Sequence, residues 1–132
     1  MAKEATSSQD RERSLVLVVD DENALNTLLT VTLSDAFDIE TATSAEEAEL
    51  LMASRSYDAI VCDHMLPGEQ GLDFLVRMSS RYPDTKRILL TGYINPDFLS
   101  RSIGVAKLSS CLLKPTKMED LAAAVRKALT EA

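Results

Sequence analysis

Five short apolar runs alternate with five stretches of helical periodicity, and this alternation narrows the possible folds more than any other feature of the chain. Leu15-Val16-Leu17-Val18-Val19 has no polar position, the mark of a strand covered on both faces. Phe37 to Thr41 reads as a second strand, Ala59 to Cys62 as a third that delivers Asp63, Arg87 to Leu90 as a fourth closed by Thr91 and Gly92, and Cys111 to Leu113 as a fifth. In the first interval Leu25, Leu28, Leu29, Leu33 and Ala36 recur at helical spacing. Ser44-Ala45-Glu46-Glu47 is a capping box that turns Ala45, Ala48, Leu51 and Met52 inward. Gly71 leads into a helix with Leu72, Leu75 and Val76 on one face and Asp73 paired to Arg77 outside. Asn95-Pro96 supplies an N-cap and a first-turn proline, and Gly104 is expected to end that helix early. Thr116-Lys117-Met118-Glu119 is a second capping box ahead of Leu121, Val125, Ala128 and Leu129. Strand then helix, five times, specifies an α/β fold: a parallel sheet with helices on both faces and right-handed crossovers.

The 132 residues suit one domain able to bury about two-thirds of its unfolded surface. Residues 1–14 are polar and aperiodic and are expected to be a disordered leader; 15–132 form the domain. A net charge of −7 argues against direct nucleic-acid binding, which needs clustered Lys and Arg, and suits a divalent cation or a basic partner. No apolar run spans a membrane and no secretory signal opens the chain, so a cytoplasmic location is expected. Cys62 and Cys111 make no zinc or disulfide pattern, and a strand should lie between them.

The chemistry sits at the strand ends. Asp20 and Asp21 follow the first strand, Asp63 ends the third, Thr91 ends the fourth and Lys114 follows the fifth. Adjacent acids often only cap a helix, and a threonine at a loop often only caps a turn. In a doubly wound sheet, however, all these ends open on one crevice. Two carboxylates about 4 Å apart repel by roughly 4 kcal/mol at an effective dielectric near 20. Such a group calls for a counter-charge, and Mg²⁺, which takes one or two carboxylates together with phosphate oxygens, fits it. Lys114 adds a movable positive charge, and the Thr91 hydroxyl can donate to a phosphoryl oxygen beside the unobstructed Gly92.

Leu17-Val18-Val19-Asp20-Asp21, Asp63-His64-Met65-Leu66-Pro67-Gly68-Glu69-Gln70-Gly71, Leu89-Leu90-Thr91-Gly92 and Cys111-Leu112-Leu113-Lys114-Pro115 together resemble a response-regulator receiver domain. The resemblance runs from about Leu15 to the last helix, and in size the chain is similar to the stand-alone chemotaxis-type regulator. It implies a flavodoxin-like (βα)5 sandwich with strand order 2-1-3-4-5. It implies that Asp63 accepts a phosphoryl group from the phosphohistidine of a sensor histidine kinase or phosphotransfer protein, with slow self-catalysed dephosphorylation. Asp21 and Asp63 would hold Mg²⁺ directly, Asp20 through water and Met65 through its backbone carbonyl. Thr91 would turn toward the phosphoryl group and Lys114 would pair with it. The surface of the fourth helix, fifth strand and fifth helix would then change its preference for a downstream protein or output domain.

Two departures bear on the switch and on the lifetime of the phosphoryl group. The switch aromatic expected three residues before the lysine is Cys111, with Tyr93 as a substitute candidate. Met65 is apolar where polar residues often orient the attacking water. His64 reads as an exposed neighbour of the site rather than a ligand or base. Lys117, Arg126 and Lys127 are candidates for homodimer contacts, although charges so spaced are commonly just solvated. Two other readings remain. A haloacid-dehalogenase-like phosphatase also uses an aspartate nucleophile and Mg²⁺, but wants a second acid where Met65 stands. A pseudo-receiver acting only through contacts would have no use for the acids, Thr91 and Lys114.

Overall fold

The computed structural model describes residues 13–92 and 95–131, the side chains of Asn23, Ala24 and Leu25 excepted. Strands and helices alternate as β1 (Leu15–Val19), α1 (Asn23–Leu33), β2 (Asp38–Ala42), α2 (Ala45–Ser54), β3 (Ala59–Asp63), α3 (Gly71–Arg81), β4 (Lys86–Thr91), α4 (Pro96–Ala106), β5 (Ser110–Leu113) and α5 (Met118–Thr130). Every pairing is parallel and the order is β2-β1-β3-β4-β5. This is the flavodoxin-like sandwich the sequence implies. The chain leaves β1 toward β2 on one side and reaches β3 on the other, so the crevice for a ligand opens at the carboxyl ends of β1 and β3.

Alternation along the strands sorts side chains into two layers. Val16, Val18, Val61, Ile88 and Leu90 pack with Leu29, Leu33, Leu121 and Val125, the inward stripes of α1 and α5. Leu17, Val19, Ile60, Cys62 and Leu89 pack with Ala45, Ala48, Met52, Phe74 and Met78 of α2 and α3. Because β1 and β3 are covered on both faces, a charge has no outlet until the strand ends.

Several local expectations hold and several do not. Ser44 Oγ accepts from the Glu47 N–H at 3.1 Å, while Glu47 Oε1 accepts from the Thr43 N–H at 2.7 Å, so the capping box closes one residue early. Asn95 Oδ1 caps α4 through the N–H groups of Asp97 and Phe98, at 2.8 and 3.3 Å. Gly104 does not end α4; the helix runs to Ala106 and stops where Lys107 turns left-handed, φ 52°. Thr116 is not the cap of α5. Its hydroxyl donates to the Leu113 carbonyl at 2.7 Å, and Lys117 occupies the cap position without a side-chain bond. Arg77 bonds Glu69 and Glu49 rather than Asp73, because the neighbouring loop and α2 bring those carboxylates to the outer face of α3. Leu28, placed on the inner stripe by spacing, is 52% exposed.

Residues 1–12 of the expected leader lie outside the described residues, as does Tyr93. Arg13 is tied down: its guanidinium donates to the Phe37 carbonyl at 2.6 Å and to that of Ser34, and pairs with Asp38 at 3.3 Å. Leu89 stands between Cys62 and Cys111 in the sheet register, and both thiols are free.

Arg87 is a buried cation that, among the described residues, is held by backbone carbonyls rather than by a carboxylate. Its guanidinium donates to the carbonyls of Ala106 at 3.0 Å, Lys107 at 3.1 Å, Thr85 at 2.6 Å and Tyr82 at 3.4 Å. The first two belong to the carboxyl end of α4, where the helix dipole is negative and leaves acceptors unused. Burial holds the guanidinium below its ordinary pKa, and its donors pin that end of α4 to β4.

Candidate functional site

Three strands deliver charge to one place. Asp20, Asp21 and Asp63 offer carboxylate oxygens that all lie within 4.8 Å of one another. Asp20 and Asp63 are almost wholly buried, whereas Asp21 opens to solvent. Lys114 reaches across from β5, its Nζ 3.2 Å from Asp63 Oδ2 and 3.7 Å from Asp20 Oδ2. The peptide joining Lys114 to Pro115 is cis, and the Lys114 N–H bonds the Thr91 carbonyl at 2.9 Å. This bond carries the sheet ladder one residue past Leu113 and fixes where the lysine leaves it.

The two buried acids each accept from a backbone donor. Asp20 Oδ1 accepts from the Glu22 N–H at 2.9 Å, and Asp63 Oδ1 from the Met65 N–H at 3.3 Å. Thr91, 1% exposed, ends β4 one residue beyond Leu90, the register partner of Asp63. Met65 has a side chain 64% exposed, so only its backbone belongs to the site. Cys111 is half-buried with the α2 and α3 layer, and burial raises its thiol pKa.

The roles of two residues at the site escaped the sequence reading. Asn26 is buried on α1, and its amide donates to the Asp20 carbonyl at 2.6 Å and, more weakly, to that of Ala42 at 3.5 Å. It ties the acidic turn to the end of β2; a polar residue on an otherwise apolar helix face was its signal. Gly71 is the other. A Cβ there would lie 2.1 Å from the Asp63 carbonyl oxygen, whereas one at Gly92 would meet nothing within 4 Å.

His64 corrects an expectation. It is 3% exposed, not solvent-facing, because it continues the β3 alternation onto the α3 and α4 side. Its Nδ1 accepts from the Leu72 N–H at 3.4 Å, and its ring meets Phe98 edge-on with centroids 5.1 Å apart. Burial pushes the imidazole below its ordinary pKa, against opposing pulls from Asp63 and Asp73.

The electrostatics show an excess of negative charge. Burial raises the Asp20 carboxyl above its ordinary pKa; the Glu22 N–H pulls it back, Asp63 pushes it up and Lys114 pulls it down. Asp20 Oδ2 is buried without a hydrogen-bond partner. Three carboxylates against one ammonium, with an orphaned buried oxygen among them, fit a divalent cation with oxygen preference.

A raised carboxyl binds its proton more tightly in the folded state, so its contribution to stability falls as pH rises from the ordinary aspartate range toward the raised value. Asp20→Asn is therefore expected to stabilise the metal-free domain at pH 7 and to raise its Tm. The same variant is expected to lose most of the Tm gain that Mg²⁺ gives the unsubstituted protein. Thermal scans with Mg²⁺ and with chelator check both.

The profile of the response regulator receiver domain family matches residues 16–126. The chain belongs to that family. The chain is 33% identical over 118 residues to the hydrogenase transcriptional regulatory protein HoxA of Cupriavidus necator, which covers 89% of this chain and 24% of HoxA. It is 34% identical over 93 residues to the photosynthetic apparatus regulatory protein RegA of Cereibacter sphaeroides, covering 70% of this chain and 50% of RegA. The receiver thus spans about a quarter of HoxA's length and half of RegA's. Among solved structures, the signal receiver domain of an HD domain-containing protein from Pseudomonas fluorescens Pf-5 superposes with a TM-score of 0.83 at 32% identity. That match covers 89% of this chain and 95% of the other. Among the described residues no helix is long and apolar enough to cross a membrane.

Proposed function

We propose that this receiver domain is a phosphorylation-dependent switch in which Asp63 takes a phosphoryl group from the phosphohistidine of a sensor kinase or phosphotransfer protein. The observation that carries the reading is the convergence of Asp20, Asp21 and Asp63 with Lys114 at the β1/β3 switch point. Asp63 is buried, and among the described residues the Lys114 ammonium and the Met65 N–H donate to its oxygens. In the transfer a carboxylate oxygen forms a bond to phosphorus while the imidazole N–P bond breaks, and the imidazole nitrogen keeps the electron pair.

Little covalent work falls to the protein; positioning and charge stabilisation dominate. Lys114 neutralises the negative charge that gathers on the transferring group. The Thr91 hydroxyl donates to a phosphoryl oxygen once the group is in place. Asp20, Asp21, Asp63 and the Met65 carbonyl would hold Mg²⁺, which supplies further charge neutralisation when bound. The downstream output is a change in partner preference at the α4-β5-α5 surface, passed to a separate protein or to an attached module. HoxA is named as a transcriptional regulatory protein, and the acidic receiver would serve such a role by contact rather than by touching DNA.

Family membership and the exposed Met65 at the position a dehalogenase-like acid would need leave that alternative without support. The retained acids and lysine favour a working acceptor over a pseudo-receiver. A cytoplasmic site of action follows from dependence on kinase-derived phosphohistidine. Incubation with Mg²⁺ and a small phosphodonor such as acetyl phosphate is expected to add one phosphoryl unit to the intact mass, and chelation to prevent it.

A further inference from the structure

We propose that in this chain the state of Asp63 reaches helix α4 through His64 and Phe98, with α4 pivoting about a carboxyl end fixed by Arg87. The proposal rests on Asp63 being the acceptor and adds how its state is read.

The first link is backbone. His64 lies between Asp63 and Met65, and the Met65 N–H donates to Asp63 Oδ1 at 3.3 Å. Its own N–H bonds the Leu90 carbonyl at 2.8 Å, and its carbonyl accepts from the Gly71 N–H at 2.8 Å. His64 therefore sits inside a short loop closed by the carboxylate that a phosphoryl group would enlarge and recharge. Any shift in the Met65 N–H as it follows the new oxygens turns the peptide next to His64.

The second link is side chain. Asp63 and His64 alternate across the sheet, so the imidazole points to the α3 and α4 side while the carboxylate stays in the crevice. There its Nδ1 is held by the Leu72 N–H, which limits how the ring can turn. Its contact with Phe98, at 5.1 Å and 64°, is the edge-to-face geometry favoured by paired rings. Phe98 lies in the first turn of α4, its N–H bonded to the Asn95 cap.

The third link is the pivot. The other end of α4 gives the carbonyls of Ala106 and Lys107 to Arg87 on β4. Within the helix, the hydroxyl of the buried Ser102 bonds the Phe98 carbonyl at 2.7 Å. A helix fixed at one end and touched by the acceptor loop at the other responds to a push at Phe98 by tilting. Ile103 and Val105, 44% and 59% exposed on the same helix, would move with it. Strand β5 presents Cys111, which brings no ring to this path.

The test is an amide NMR titration with Mg²⁺ and beryllofluoride, a tetrahedral phosphoryl mimic, on the unsubstituted protein, Phe98→Ala and Phe98→Tyr. The Met65 amide reports occupation of Asp63; the Ser100 to Ala106 amides report α4. Expected is a full Met65 response in all three proteins, α4 shifts reduced about fivefold or more in Phe98→Ala, and recovery in Phe98→Tyr. Undiminished α4 shifts in Phe98→Ala would overturn the proposal. No Met65 response in the unsubstituted protein would instead sink the acceptor reading beneath it. Phe98 is only half-buried, so truncation should leave a folded domain. Should Phe98→Ala not give a native spectrum, His64→Leu, which keeps the buried volume, reads the same link with the same two outcomes.

Discussion

Gly71→Ala is expected to be the most destabilising single-methyl change near the site. The added Cβ would fall 2.1 Å from the Asp63 carbonyl oxygen, 2.8 Å from its carbonyl carbon and 2.9 Å from His64 Cα. All three are backbone atoms at the strand end that carries Asp63, so no side chain can rotate to relieve the clash. The Gly71 N–H also bonds the His64 carbonyl at 2.8 Å, and separating the segments would break that bond. The expected cost is about 3 kcal/mol or more, lowering Tm by roughly 10 °C. Whatever folded protein remains should take up phosphate poorly, because the displaced backbone is that of Asp63 itself. Gly92→Ala is the control: its Cβ meets open space, and denaturant midpoints should differ little from those of the unsubstituted protein. Equal midpoints for the two variants would contradict the packing of α3 on the Asp63–His64 backbone.

Lys114→Met is expected to have the largest effect on chemistry short of removing the acceptor. Burial disfavours the ammonium, but the attraction of Asp63, its hydrogen bond and the charges of Asp20 and Glu22 outweigh this and raise the lysine pKa. A raised lysine contributes stability in full below its ordinary pKa and loses it only as pH climbs through the raised value, so at pH 7 the contribution is complete. Methionine keeps most of the stem and removes the charge. Asp20 and Asp63 then face each other uncompensated, and the metal-free variant should melt lower at pH 7 and regain stability as pH falls and Asp20 takes its proton. Phosphoryl transfer from acetyl phosphate with Mg²⁺ should slow by about a hundredfold, typical of losing one preorganised charge at the reacting group. Unchanged transfer would remove Lys114 from the reaction.

The strand ends were legible because apolar runs that stop abruptly on Asp20, Asp63 and Thr91 leave few other places for those side chains. Alternation specified a parallel sheet but not its order; strand order, and with it the separation of Cys62 from Cys111 by β4, was implied by the resemblance to receiver domains. His64 was misjudged for a physical reason. A polar residue after a strand end reads as solvated, and only the packing of α4 over the sheet supplies the Phe98 edge and Leu72 N–H that bury it. Arg87 and Asn26 escaped for a related reason: their partners are backbone carbonyls from distant segments, which carry no side-chain signature. Thr116 and Gly104 misled because capping and breaking signals are local, while the Leu113 carbonyl and the packing of α4 settled both ends. Tyr93, offered as a substitute for the ring missing at Cys111, lies outside the described residues.

Phosphoryl transfer onto Asp63 underlies every role proposed for the site. Its most direct test compares the unsubstituted protein with Asp63→Asn after incubation with Mg²⁺ and acetyl phosphate. Borohydride reduction of the acyl phosphate then marks the acceptor for peptide mass mapping. Expected are one phosphoryl unit on the unsubstituted protein, a mark at Asp63, and neither in Asp63→Asn. A phosphoryl adduct that persists in Asp63→Asn, or a mark on Asp20 or Asp21 in the unsubstituted protein, would contradict it.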